Sequence, residues 1–440
     1  QLPDSFLVFP SIMNRKWNFL LLSLLVTVAC VFGVDYETSS VDSSAYDSGD
    51  IAWMIVASAF VLLMTPGLAF FYGGMVNKKN VISTMLQSFV ALGVISVLWV
   101  VVGFSLCFGE SLGGVIGDPR TFFVFDGVGL APNSAFAETI PFLLFALFQL
   151  KFAIITPALI TGSFAGRIRF RGYILFIVLF SLIVYPPLAH MTWHPDGLLR
   201  NLGVLDFAGG TVVHMSAGFA ALAGAIFLGQ RKDSVNQPAN IPFVILGTGL
   251  LWFGWFGFNS GSALGANGVA VKAFANTNLA SATAMITWVF YERYQNRKMS
   301  ALGACIGAIV GLVAITPAAG FVSLSHSILI GFIAALTSNW AIQIQKRFAI
   351  DDTLDVFPSH GVGGVVGMIL TGVLAEDVGL IHGDSTVFIR HMVTLVGVAI
   401  GTFGVSYLLY AAVNRIIPLR VRSDQEQRGL DHSQHGERME

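Results

Sequence analysis

Two histidines stand where the surrounding residues offer them almost nothing polar. LDFAGGTVVHMSAGFAALAGAIFLG places His214 in a run of glycine, alanine and valine, and DVFPSHGVGGVVGMILTGVLA does the same with His360. A neutral imidazole carries one N–H donor and one lone pair, so two of them can share a hydrogen bond. Buried together they resist joint protonation, because like charges repel and desolvation favours the neutral ring. Such a pair suits proton handling. It would hold a metal poorly, having no third ligand nearby. Each histidine taken singly also reads as a satisfied packing residue; two at corresponding places weigh toward an internal path.

The elements that must position these rings follow from composition. The 440 residues are 55% hydrophobic and 11% charged, with 47 glycines, whereas a soluble domain carries about 25% charge. This is the profile of an all-α polytopic membrane protein. Apolar spans are read near 51–75, 84–108, 139–162, 170–189, 207–228, 241–264, 277–292, 300–318, 324–345, 358–375 and 388–414. All but the tenth are long enough for a hydrocarbon core of about 30 Å. Lysine and arginine crowd alternate loops, fifteen against four, which puts the crowded set in the cytoplasm, the mature N-terminus outside and the C-terminus inside. Residues 13–33 have a basic start and a short apolar run, the form of a signal peptide with Met13 as its start. Residues 1–12 would then be non-native or follow a misplaced start; an uncleaved extra helix is the alternative. A periplasmic linker over 34–49, a transmembrane domain over 50–416 and a cytoplasmic tail over 417–440 complete the organisation. Cys30, Cys107 and Cys305 lie in apolar stretches without metal-type spacing and are expected to be core fillers.

Eleven spans leave two groups of five and one over. Five is odd, so a repeated group would be inverted, as in many transporters. Each group ends on an Asp, a His and small residues: Asp206, His214, Gly218 and Gly224, then Asp355, His360, Gly364 and Gly372. Asp206 reads first as a helix N-cap, with His214 about 12 Å deeper on the same face through Gly210. The tenth span runs the other way and is short, its helix proper beginning inside the membrane after Asp351 to Phe357. Broken spans of that kind are tolerated where they line a protein cavity. Both histidines therefore reach mid-depth.

Aromatic residues recur at helical spacing around this region. Phe148 and Phe152 share one face of the third span, and Phe258 and Ser262 one face of the sixth. Trp193 ends the fourth span, where a tryptophan is commonly an interfacial anchor. If these faces converge, they form a cage for a small cation, held by cation–π attraction with the Ser262 hydroxyl as acceptor. Lys151, beside Phe152, needs a partner or a route to water. No phosphate loop, nucleophile triad or metal cluster is present in the sequence, and the chain is not read as an enzyme.

Five separated stretches carry a specific resemblance. DFAGGTVVHMSAGFAALAGAIFLGQR, MTPGLAFFYGGMVNKKNV, FQLKFAIITPALI, GWFGFNSGSA and DDTLDVFPSHGVGG closely resemble the ammonium transporter (Amt/Mep/Rh) family in its bacterial branch, and the likeness runs from about Asp50 into the tail. The resemblance implies eleven transmembrane helices with an inverted five-helix repeat, a pore within each subunit, a homotrimer and a multi-pass place in the cell (inner) membrane. It implies that Trp193, Ser262, Phe152 and Asp206 recruit ammonium. Phe152 and Phe258 would gate the pore, Gln149 would add a polar group at the entrance, and His214 and His360 would be twin pore histidines. No cofactor and no nucleic acid are implied. The partners are ammonium or ammonia, the lipid bilayer and a PII-type regulatory protein at the cytoplasmic face.

Ammonium and potassium are close in size, but only ammonium can give up a proton. An apolar pore with neutral imidazoles would pass ammonia and refuse an ion that stays charged. The proton would follow through the histidines, giving net charge movement. Four departures from the family pattern are visible: Arg167 where a glutamate is frequent, Ser359 before His360, the charge of Lys151, and a tail ending RME. The rival readings are an ammonium sensor on the same fold, against which the short tail and both histidines speak, and an Rh-type gas channel, against which Trp193 speaks.

Overall fold

The computed structural model describes residues 45–232 and 237–439, with a few helical positions between 20 and 31. Most of the expected leader and residues 34–44 of the linker lie outside the described residues. Cys107 and Cys305 are buried fillers, but Cys30 is exposed, contrary to expectation. Its described neighbours Leu20, Leu24, Val26 and Val31 are exposed too, so no core reaches it.

In hydrocarbon the backbone must satisfy its own hydrogen bonds, so the apolar stretches become helices. Among the described residues nine helices are long and apolar enough to cross a bilayer. They are α1 (Ser48–Met75), α2 (Lys78–Phe108), α3 (Phe142–Phe164), α4 (Phe170–Asn201), α5 (Gly210–Leu228), α6 (Ile241–Gly261), α9 (Leu324–Arg347), α10 (Phe357–Leu374) and α11 (Thr386–Ile416). Between α6 and α9 lie α7 (Gly268–Tyr294) and α8 (Ala301–Ile315), where the other two spans were read. The protein is a multi-pass membrane protein.

Helices α7 and α4 depart furthest from their expected bounds. Helix α7 begins at Gly268 rather than near 277, because Asn267 accepts a hydrogen bond from the Ala270 amide. Its first turns are polar for structural reasons: Lys272 pairs with Glu376, and Asn276 Nδ2 donates to the carbonyls of Ala319 and Val322. That polarity hid them from a hydropathy reading. Helix α4 is in pieces, Phe170–Ile183, Tyr185–Trp193 and Leu198–Asn201. Pro186 and Pro187 follow the first break, where a missing amide hydrogen is tolerated.

Helices α5 and α10 carry the histidines, and both open on a π-helical turn, Gly210–Met215 and Phe357–Val362. The α-helical spacing that joined Asp206 to His214 through Gly210 therefore does not apply. Gly209, at φ +112°, sets the sharp entry instead. The two helices cross through small residues. A Cβ on Gly218 would lie 2.1 Å from the Gly361 amide nitrogen, and one on Gly364 would lie 3.0 Å from the Gly210 carbonyl oxygen.

At the opposite end of the bundle the tail is tied back onto the helices. Asp431 accepts from the Ile82 and Ser83 amides at 3.0 and 2.7 Å, and Leu430 N donates to Asn80 Oδ1 at 2.8 Å. Glu426, on the short helix α12 (Ser423–Arg428), pairs with Arg420 at 3.0 Å.

Gly218→Ala should separate the two broken helices. Overpacking of this kind costs about 1–3 kcal/mol. The expected outcome is a fall of several degrees in the unfolding midpoint, read with a thiol-reactive dye that reaches Cys107 and Cys305 on unfolding. An unchanged midpoint would show that the crossing is not tight.

Candidate functional site

A cavity of about 410 Å³ opens where α3 begins and α4 and α6 end, with Gln149, Phe152, Trp193, Asp206 and Ser262 in its wall. The aromatic faces expected to converge do converge. Phe152 meets Trp193 at 5.7 Å between ring centroids, edge to face, and Phe148 at 5.0 Å. Trp193 Nε1 donates to the Asp206 carbonyl at 3.3 Å, so the ring is held by the next helix's entry turn and is not a free interfacial anchor. Ser262 Oγ donates to the Phe258 carbonyl at 2.9 Å, which leaves its lone pairs for another donor. Buried Gln149 keeps an Oε1 with no partner among the described residues. Lys151 is half-buried, does not line the cavity, and has no ion-pair partner among the described residues.

Asp206 does cap its helix, and its carboxylate is fully engaged in doing so. One oxygen accepts from the Gly209 and Gly210 amides at 2.8 and 2.6 Å, the other from the Thr211 amide and hydroxyl at 2.7 and 2.5 Å. These bonds satisfy donors that the first turn of a helix leaves without intrahelical acceptors.

Beneath the cavity the rings form a continuous file. Phe152 and Phe258 lie 4.2 Å apart and close its floor. Phe258 is 6.0 Å from His214, and His214 is 5.4 Å from His360. The two histidines are buried, and their Nδ1 atoms are 3.3 Å apart. His214 is further sandwiched by Trp255 at 5.4 Å.

Counting protons gives the pair a direction. Thr316 donates its hydroxyl proton to the Leu312 carbonyl at 2.8 Å and accepts from Trp255 Nε1 at 2.9 Å. It can then only accept from His214 Nε2, 3.3 Å away. A neutral His214 protonated at Nε2 must accept at Nδ1, so His360 donates from its own Nδ1 and keeps Nε2 as a bare lone pair. Thr316 and Trp255 were not singled out in the sequence. Trp255 lies three residues before Phe258, on the same helical face, which was a signal. Thr316 follows the last turn of α8 and is placed only by packing.

The other end of the site is acidic and basic by turns. Arg167 is buried, donating to Thr353 Oγ1 at 2.7 Å, to the Ser163 carbonyl at 3.1 Å, and to the Asp351 carbonyl. Burial lowers its pKa to about 10, so it stays cationic. Asp351 pairs with Arg231 at 2.7 Å, so the loop that lacks a glutamate at 167 is still crosslinked. Asp352 receives the Phe357 amide at 2.7 Å, capping α10 as Asp206 caps α5. Burial, with the Asp352 charge second, pushes Asp355 up to about 7. Ser359 is buried beside His360. Among the described residues no group of three His, Cys, Asp or Glu could hold a metal.

The family model of the Ammonium Transporter Family matches residues 52–440. The chain belongs to that family. It is 45% identical to an ammonium transporter of Aquifex aeolicus, covering 89% of this chain and 93% of that one. It is 44% identical to an ammonium transporter of Bacillus subtilis, covering 89% and 98%. The crystal structure of Saccharomyces cerevisiae Mep2 superposes with a TM-score of 0.82 at 35% identity, over 87% of this chain and 90% of that one. A structure described as a sensor Amt protein superposes at 0.81 with 31% identity, over 88% and 98%. Membership of the ammonium transporter family makes ammonium transport the function to which the site must answer.

Asp206→Ala leaves the first turn of α5 uncapped and should lower stability by about 1–2 kcal/mol, seen as an earlier midpoint in detergent. At Asp355 the folded chain binds a proton that the unfolded chain releases between about pH 4 and 7, so stability falls as pH rises through that window. Asp355→Asn should therefore raise the midpoint at pH 8 and leave it unchanged near pH 4. Equal effects at both values would refute the raised pKa.

Proposed function

We propose that ammonium is recruited in the aromatic cavity by Trp193, Phe152 and Ser262, with Asp206 and Gln149 shaping its entrance. The ion then loses its proton, ammonia passes the Phe152 and Phe258 rings, and the proton follows through His214 and His360. The observation that carries this reading is the unbroken file of rings from the cavity to the hydrogen-bonded imidazole pair. Burying a bare cation along such a path is costly unless it is paired. An ion that can become neutral by giving up a proton avoids that cost; potassium cannot. With His214 protonated at Nε2 and His360 at Nδ1, a proton gained at His360 Nε2 shifts the shared proton to His214 Nδ1 and releases the one on His214 Nε2. Passage from His214 to His360 requires both rings to exchange tautomers first. Charge then crosses even though ammonia is the species in the apolar pore.

The same reading takes the chain as eleven spans with an inverted five-helix repeat, N-terminus outside and C-terminus cytoplasmic, in the cell membrane as a homotrimer. The charge split among loops and the matching π-helical turns of α5 and α10 support the topology. A PII-type protein at the cytoplasmic face and cleavage of the 1–33 leader belong to this reading as well. The relative described as a sensor Amt protein keeps a sensing role as the second reading.

Proteoliposome currents on a solid-supported membrane test the mechanism. Ammonium should trigger current and potassium should not; His214→Ala and His360→Ala should abolish the current or its selectivity. Thr316→Val removes the acceptor of His214 Nε2 and should slow the current severalfold without admitting potassium. Wild-type protein that binds ammonium yet carries no current would favour the sensing or neutral-gas reading.

A further inference from the structure

Among the described residues, the wall of the aromatic cavity carries two charged side chains, Asp206 and Arg200. Their charges are not equally free. The Asp206 carboxylate is buried and receives four hydrogen bonds from the entry turn of α5. Those donors and the positive end of the helix answer its charge. Arg200 is exposed and has no ion-pair partner among the described residues. A cavity suited to collecting a cation therefore presents an unpaired cation at its rim.

The fold holds that charge in place. Arg200 lies on the last piece of α4, Leu198–Asn201. Leu199 of this piece is buried, and the Leu198 amide donates to the Gly114 carbonyl at 2.8 Å. Arg200 Nη1 reaches back to donate to the Trp193 carbonyl at 2.8 Å, which keeps the guanidinium beside a wall of the cavity. A second guanidinium stands close by. The Gly203 amide donates to the Arg200 carbonyl at 2.9 Å, and a Cβ on Gly203 would lie 3.0 Å from Arg390 Nη1. Gly203 lines the cavity, and Arg390 too is exposed without an ion-pair partner among the described residues. Asp384 feels the charge of Arg390 but is hydrogen-bonded to Thr386.

We propose that Arg200 sets the affinity with which the cavity captures ammonium, its charge holding the cation back and Arg390 adding to the effect. A unit charge ~10 Å from a cation lowers its local concentration about twofold in water, and more where protein walls replace water. Salt removes this repulsion, because the screening length shrinks from about 30 Å at 0.01 M to about 8 Å at 0.15 M ionic strength. The proposal rests on the cavity being the recruitment site and is independent of the histidine relay.

Solid-supported-membrane currents from the full chain test it, in phosphatidylcholine vesicles whose headgroups carry no net charge. The quantity read is the half-saturating ammonium concentration of the wild type divided by that of Arg200→Gln. Any competition from the added sodium salt acts on both proteins and cancels in the ratio. It should be about two to five at 0.01 M ionic strength and approach one at about 0.15 M. Arg200→Lys keeps the charge without the planar fork and should follow the wild type. If Arg200 served only to brace the Trp193 carbonyl, Arg200→Lys would match Arg200→Gln and the ratio would ignore salt. Either result would overturn the proposal. Capture is also read without transport, as the rise in unfolding midpoint that ammonium gives over equal sodium in uncharged detergent. A salt-dependent rise altered by Arg200→Gln, with no current, would keep the role of Arg200 and remove the transport reading. A current with a salt-independent ratio would do the reverse, and neither current nor rise would remove both.

Discussion

The crossing of α5 and α10 admits no side chain. Gly218 and Gly361 approach so closely that a methyl group on the first would overlap the backbone of the second, and this contact brings two imidazoles from distant parts of the chain within 3.3 Å. Everything around the pair follows from its burial. Two rings joined through their Nδ1 atoms in an apolar interior leave one nitrogen each: that of His214 meets Thr316, and that of His360 is left as a bare lone pair. Trp255 and Phe258 supply the apolar faces, and Thr316 supplies the acceptor for His214.

Both histidines sit in the first turns of their helices. The amides there have no intrahelical acceptors, and an apolar surrounding offers none either. The chain answers twice with an aspartate. Asp206 collects the amides at the entry of α5, and Asp352 collects that of Phe357 at the entry of α10. Both helices then run through a π-helical turn before becoming regular. π-bulges often mark functional positions, and here each carries a histidine. The carboxylate of Asp206 thereby acts on the cavity through the turn that it holds, which also fixes the Trp193 ring by way of its carbonyl.

The lead-in to α10 is also the place where the rest of the chain gathers. Arg167 binds the Asp351 carbonyl and Thr353, Arg231 binds the Asp351 carboxylate, and the backbone of Arg167 accepts from Val421 at the base of the tail. A displacement of the tail would therefore be felt at the segment that leads to His360. Asp431, holding the Ile82 and Ser83 amides of α2, anchors the far part of the tail in the same way.

The sequence by itself determined the membrane class, the approximate helix bounds, the two histidines and the aromatic residues of the cavity. It could do so because hydropathy, helical spacing and cap chemistry are local properties, written in neighbouring residues. Even the capping role of Asp206 was legible, since its partners are the next few amides. Only the tertiary structure decided the π-helical entries, the early start of α7 under its paired Lys272 and Asn276, the break in α4 and the burial of Arg167. It also decided which nitrogens of the histidine pair meet, and that Thr316 and Trp255 orient them. Those features depend on contacts between residues up to a hundred or more positions apart, and a pattern read along one helix has no access to what stands across from it.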